Sequence, residues 1–227
     1  MPSNIKLFFL GSLLNLNLYC QKLPEGFVFL SDQVPELIVE LRYASKDNFM
    51  GREIKGYHIG QKIVGTYHLA KALQKVQIKL KKEGLGLKLF DAYRPQQAVD
   101  DFFQWSKISS DTLAKEKYYP NIPKDSLFNY GYIASKSGHS RGSTIDLTLI
   151  YLFGEKRGQE LDMGGYWDYF GKNSNYNFDL LSKKQKDNRR KLRNTMILNG
   201  FLPYEKEWWH FTLKNEPFSD KYFDFTP

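Results

Sequence analysis

The sequence predicts an α+β fold in a single compact domain, a small antiparallel sheet flanked by helices around a central cleft. Three observations carry this. Apolar residues recur at helical spacing in three stretches. Shorter runs rich in branched and aromatic residues have strand composition. The two kinds of segment alternate without βαβ regularity, which argues against a parallel, doubly wound sheet.

The elements follow in chain order. Thr66 is placed to cap a helix running to about Glu83, with Leu69, Leu73, Val76 and Leu80 along one face and Gly84 as its stop. Residues 85–90 then read as a strand entering the turn DAYRP. Pro95 suits the first position of a second helix, whose apolar face carries Ala98, Phe102 and Trp105. Asp146 opens an apolar, strand-like run over residues 147–149. A third helix is expected over residues 184–199, stopped by Gly200, and residues 208–213 (WWHFTL) have strand composition. Residues 106–136 and 151–178, rich in Tyr, Asn, Gly and Lys, read as long loops, which in a compact domain are often functional.

Composition narrows the function classes. The chain has 227 residues, enough for one domain with a sizeable core. Its net charge of +8 admits nucleic acid, a membrane surface or an anionic polymer as partner. However, the one dense basic run, residues 183–193 (KKQKDNRRKLR), reads as a solvated helix face, and no nucleic-acid motif is present. Aromatics make up 16% of the chain, which suits either an aromatic core or a sugar-stacking site. Lys6 followed by the apolar residues 7–18 reads as a cleaved signal peptide over residues 1–20, too short for a membrane span, leaving residues 21–227 as a secreted or periplasmic domain. A buried N-terminal strand or helix is the alternative. Cys20 is the only cysteine, so the mature chain has no internal disulfide; Tyr19 is bulky for a lipoprotein signal ending at Cys20.

Four histidines are present. His58 and His68 lack an acidic or cysteine partner at motif spacing and read as structural or surface residues. His139 lies seven residues before Asp146, and His210 three after Glu207. A catalytic zinc takes three N or O ligands and keeps one position for water, and a nearby carboxylate can take that water's proton. His139, Asp146 and His210 suit the ligand set, with Glu207 as base; Gly138 and Gly142 let the backbone turn tightly around the first ligand. On spacing alone a satisfied core histidine and an exposed Glu207 are the simpler reading. Residues three apart on a regular strand point to opposite faces, so Glu207 and His210 share a site only if the backbone bends between them. Arg94 sits at the turn after a strand, either to stabilise an oxyanion or grip a carboxylate, or merely to pair with Asp91 at the surface.

Taken together, these residues resemble the VanX-type D-alanyl-D-alanine dipeptidases of the peptidase M15 group. That group's zinc motif, S-x-H-x-x-G-x-A-x-D, matches residues 137–146, with Thr144 where Ala is usual, and E-x-W-H matches residues 207–210. The similarity extends to YASKDNFMG (43–51), IVGTYHLA (63–70), DAYRP (91–95), YYPNI (118–122), MGGYWD (163–168) and YFDF (222–225). The resemblance implies one zinc ion per chain in the central cleft, held by His139, Asp146 and His210. It implies Glu207 as general base that later protonates the leaving amine, and Arg94 as the transition-state stabiliser. It further implies Asp168 and Tyr43 at the substrate's free amino end and Ser137 at its carboxylate end. The expected activity is hydrolysis of D-Ala-D-Ala. The alternative within the group is a D-Ala-D-Ala carboxypeptidase or peptidoglycan endopeptidase, against which YASKDNF and MGGYWD speak. A non-catalytic wall-binding protein on the same scaffold is disfavoured by the intact Glu207. Two departures stand out: Thr144, and an export signal unlike the cytosolic resistance enzymes, which favours wall-peptide recycling or nutrition. The oligomeric state is not legible in the sequence.

Overall fold

A computed structural model describes residues 23–227. The stretch read as a signal peptide, with Lys6 and Cys20, lies outside the described residues. The elements are β1 (Phe27–Phe29), α1 (Leu30–Gln33), β2 (Ile38–Val39), β3 (Val64–Thr66), α2 (Tyr67–Lys81), β4 (Leu85–Asp91) and α3 (Gln96–Ser106). After them come α4 (Lys115–Tyr118), β5 (Thr144–Tyr151), α5 (Lys183–Leu198), β6 (Phe201–Tyr204) and β7 (Glu207–Leu213). Five strands form one sheet in the order β2-β4-β5-β7-β6, and β1 pairs with β3 in a second. The expected antiparallel pairing holds throughout except at one edge, where β2 runs parallel to β4 for two residues. That strand is too short to be read from its side chains.

The local signals act as anticipated. The Thr66 hydroxyl accepts from the Leu69 amide at 3.2 Å, satisfying one of the helix's orphan donors. Leu69, Leu73, Val76 and Leu80 of α2 are fully buried, each worth ~1.5–3 kcal/mol relative to exposure. Pro95 sits one residue earlier than expected, as the cap of α3, because its ψ of 149° is still extended. The donor it cannot supply is immaterial there, and the Gln97 amide is taken by Asp224 Oδ1 at 2.7 Å. Helix α5 starts at Lys183 behind a capping box formed by Ser182 and Gln185. The two segments read as loops contain only short turns besides α4.

The aromatic residues build the core. Tyr43, Phe49, Phe102, Trp105, Trp167 and Phe170 are all buried, with ring pairs such as Tyr43–Trp167 at 5.0 Å and Phe49–Phe102 at 4.9 Å. A smaller aromatic cluster joins Phe27 and Tyr93 to Phe218, Phe223 and Phe225, with Tyr93 stacked on Phe225 at 4.1 Å. It ties the C-terminal residues to the DAYRP turn. His58 and His68 are exposed, as expected. The basic run is mostly solvated, but Arg189 departs from that reading. It is buried and donates to the carbonyls of Met163, Asn173 and Asn175 at 2.6–2.8 Å. Burial lowers its pKa to about 10, and the guanidinium clamps the loop that carries Asp168.

Candidate active site

Three neighbouring strands set one row of the site. Asp91 on β4 lies across from Asp146 on β5, which lies across from His210 on β7. His139 arrives from a 3-10 turn, Gly138–Arg141, that closes on Gly142 at φ +80°. A Cβ on Gly142 would stand 2.3 Å from the Phe27 ring, so both the left-handed backbone and the close approach require glycine. The Ser137 hydroxyl accepts from the His139 amide at 3.3 Å and steadies the turn. Thr144, the departure from the family motif, is accommodated: its hydroxyl meets that of Thr212 directly across the sheet at 3.0 Å.

The three candidate ligand atoms converge. His139 Nε2 is 3.4 Å from Asp146 Oδ1 and 3.4 Å from His210 Nδ1, and the last two atoms are 3.0 Å apart. A tetrahedral centre with bonds of ~2.0–2.1 Å has ligand–ligand edges of about 3.3 Å, so the donor set fits a metal ion in size as well as chemistry. Two further observations agree. Asp146 Oδ1 is buried and makes no well-aligned hydrogen bond, although both histidine nitrogens face it. The other ring nitrogen of His139, Nδ1, is 2.7 Å from the Ala92 carbonyl, the arrangement that fixes the tautomer of a ligating histidine. Burial opposes ionisation of Asp146, but the two histidines hold its carboxyl well below the usual range.

The bend that Glu207 and His210 need is present. Pro203 pairs with Phe211, yet the next residue, Tyr204, pairs with Glu207, so residues 208–210 of β7 are extra in the ladder. This irregularity brings Glu207 Oε2 to 3.5 Å from His210 Nδ1. Around them, Arg94, Asp168, Tyr43 and Ser137 line the same cavity of about 200 Å³ as His139, Asp146, Glu207 and His210. The eight residues expected at the site therefore line one cavity.

The comparisons with known proteins bear on that place directly. The profile of the peptidase M15 family, described as D-ala-D-ala dipeptidase, matches residues 24–227. The chain belongs to this peptidase family. It is 43% identical over 200 residues to a D-alanyl-D-alanine dipeptidase of Enterococcus faecium, covering 88% of this chain and 97% of that protein. A D-alanyl-D-alanine dipeptidase of Streptomyces coelicolor is 43% identical over 199 residues, with 88% and 96% covered. One of Escherichia coli is 31% identical over 182 residues, with 79% and 80% covered.

The electrostatics of the peptidase sort its charged groups. Burial raises the Glu207 carboxyl above the ordinary value, only partly offset by His210 and Arg94. Burial likewise pushes Asp168 well up, against the hydrogen bond that the Tyr43 hydroxyl donates to Asp168 Oδ2 at 2.7 Å. Arg94 does pair with Asp91, through Nε and Nη2 at 2.9 and 2.8 Å, but the pair is interior, with Asp91 fully buried. The sequence could not distinguish that from a surface pair. Trp167 was also missed: its indole N–H donates to Asp146 Oδ2 at 3.4 Å. Its position beside Asp168 in MGGYWD was the available signal.

Proposed function

We propose that this peptidase hydrolyses the dipeptide D-alanyl-D-alanine to two molecules of D-alanine, using one zinc ion per chain held by His139, Asp146 and His210. The observation that carries the reading is the convergence of eight chemistry-bearing side chains on one cavity of about 200 Å³. That is smaller than the ~300–1,000 Å³ of pockets built for larger ligands, and it suits a very small peptide. The names of the relatives agree with the substrate.

When bound, zinc supplies Lewis-acid chemistry, acidifying water and polarising the scissile carbonyl. The protein's own groups do the rest. Glu207, with its raised pKa, accepts a proton from the attacking water and returns it to the departing amine, so that one water and one dipeptide yield two amino acids. Arg94 offsets the negative charge that develops on the carbonyl oxygen. Asp168, supported by Tyr43, receives the substrate's ammonium, which provides the counter-charge that burial denies the carboxylate. Ser137 serves the carboxylate end.

The acidic pocket at the amino end separates this reading from carboxypeptidase action on longer wall peptides. Acetylating the dipeptide's amine leaves Asp168 facing a neutral group, a loss of ~1–3 kcal/mol, or ~10- to 100-fold in hydrolysis. Comparing free dipeptide, acetylated dipeptide and a stem pentapeptide ending in D-Ala-D-Ala is the test. Efficient release of D-Ala from the pentapeptide would refute the dipeptidase and establish the carboxypeptidase.

A further inference from the structure

Tyr57 belongs to no motif that the family resemblance brings forward, and it does not line the cavity. It is nonetheless buried beneath it. Its hydroxyl donates to Asp91 Oδ1 at 2.7 Å, while the other oxygen, Oδ2, receives both Nε and Nη2 of Arg94. One carboxylate thus has both oxygens fixed, Oδ1 by a phenol and Oδ2 by a guanidinium. A carboxylate held at one oxygen alone can rotate about its Cβ–Cγ bond; held at both, it cannot turn without breaking a charge-assisted bond.

The segment that delivers Tyr57 is itself fastened. Arg52 forms two hydrogen bonds with Asp101 of α3, at 2.8 and 3.0 Å, and the Lys55 amide donates to the same side chain at 3.2 Å. Gly56, at φ +82°, lets the backbone pass so close to the DAYRP turn that a Cβ there would be 2.6 Å from Pro95 Cγ. The chain is therefore pinned to α3 on one side of Tyr57 and pressed against the residue following Arg94. The Tyr57 ring also meets that of Tyr43 edge-on at 5.5 Å, and the Arg94 guanidinium lies over the Tyr43 ring at 5.0 Å.

We infer that Tyr57 is a positioning residue for the hydrolytic reaction, acting through Asp91 to hold the Arg94 guanidinium in its catalytic orientation. The inference rests on the proposed role of Arg94. A group that acts only through Arg94 contributes to the transition state as Arg94 does, and contributes nothing once Arg94 is gone.

The test is a double-mutant cycle on the zinc-loaded full chain, with Tyr57→Phe, Arg94→Ala and both together. Tyr57→Phe deletes one oxygen atom and should lower kcat about 10-fold, or ~1.4 kcal/mol, with KM and zinc content at wild-type values. In the Arg94→Ala background the same change should have no further effect. An unchanged kcat in Tyr57→Phe beside an impaired Arg94→Ala would overturn the inference and leave the proposed function standing. So would a full 10-fold penalty in the double variant, which marks a route other than Arg94. An unimpaired Arg94→Ala would instead strike the proposed function itself, and the inference with it. If Tyr57→Phe fails to fold, Asp91→Asn takes its place in the cycle, read at wild-type zinc content because Asp91 Oδ2 also lies 3.5 Å from His139 Nδ1; the same non-additivity is expected, and a full penalty in the double variant overturns the inference.

Discussion

At the scale of single residues, Asp168 shows what the site costs the fold. Asp168 and Glu36 are the non-glycine residues at positive φ among those described, and Asp168, at +63°, is buried in the cavity wall. Such a conformation costs of order 1 kcal/mol or more, and it persists only where the surroundings enforce it. Here Arg189 clamps the preceding Met163 and the following Asn173 and Asn175, and the reversal at Asp168 sets its carboxylate against Tyr43. Asp168→Gly should therefore melt close to the wild type, because the strain and the buried acid it removes offset the acceptor that the Tyr43 hydroxyl loses, yet hydrolyse the free dipeptide ~10-fold or more slowly. A large drop in melting temperature would show the carboxylate to be structural. Glu207 makes the complementary case. As the proposed base, outside the proposed ligand set, it is expected to be removable without emptying the metal site. Glu207→Ala should retain zinc by elemental analysis and lose ~100-fold or more in turnover.

Elements position these residues by a few long-range ties. Helix α3 holds the Tyr57 segment through Asp101, whose carboxyl is lowered: burial opposes this, but bonds from Arg52 and the Lys55 amide outweigh it. A carboxyl lowered on folding contributes stability that is fully present above its unfolded pKa of ~3.9 and is lost as the pH falls through the lower, folded value. The melting-temperature gap between wild type and Asp101→Asn should accordingly be open at neutral pH and shrink on acidification below about pH 4; a gap independent of pH would deny the carboxylate this role. Elements of this kind divide into those the sequence displays and those it hides. Thr66, Gly84 and the apolar face of α2 are visible because helix signals lie within a few residues of one another. The proposed ligand and base residues are visible because their motifs are contiguous, although only the extra residues 208–210 of β7 explain how Glu207 and His210 meet. Strand β2, the parallel edge, is hidden because two residues carry no periodicity. Asp91 and Tyr57 are hidden for a different reason. Burial and partnership across 34 residues are properties of the folded chain, and nothing near either residue announces them.

For the whole molecule, no helix among the described residues is long and apolar enough to cross a membrane. Export is a proposal carried by the N-terminal sequence alone. Protein recovered from an envelope fraction should begin near Cys20 or Gln21 by mass spectrometry; a cytosolic chain starting at Met1 would overturn the proposal. The carboxyl-terminal residues have a consequence of another sort. The Phe223 amide bonds the Ser140 carbonyl beside His139, its carbonyl receives the Gln96 amide, Asp224 caps α3, and Phe225 exchanges hydrogen bonds with the Tyr93 hydroxyl. Residues 223–225 thus brace the His139 turn and the DAYRP turn together. They follow every proposed ligand, the proposed base and Arg94 in the chain. A chain truncated just before them would carry every one of these groups and still lack the strut between two of the turns that aim them. The proposed site thus depends for its bracing on residues that contribute no chemistry to it.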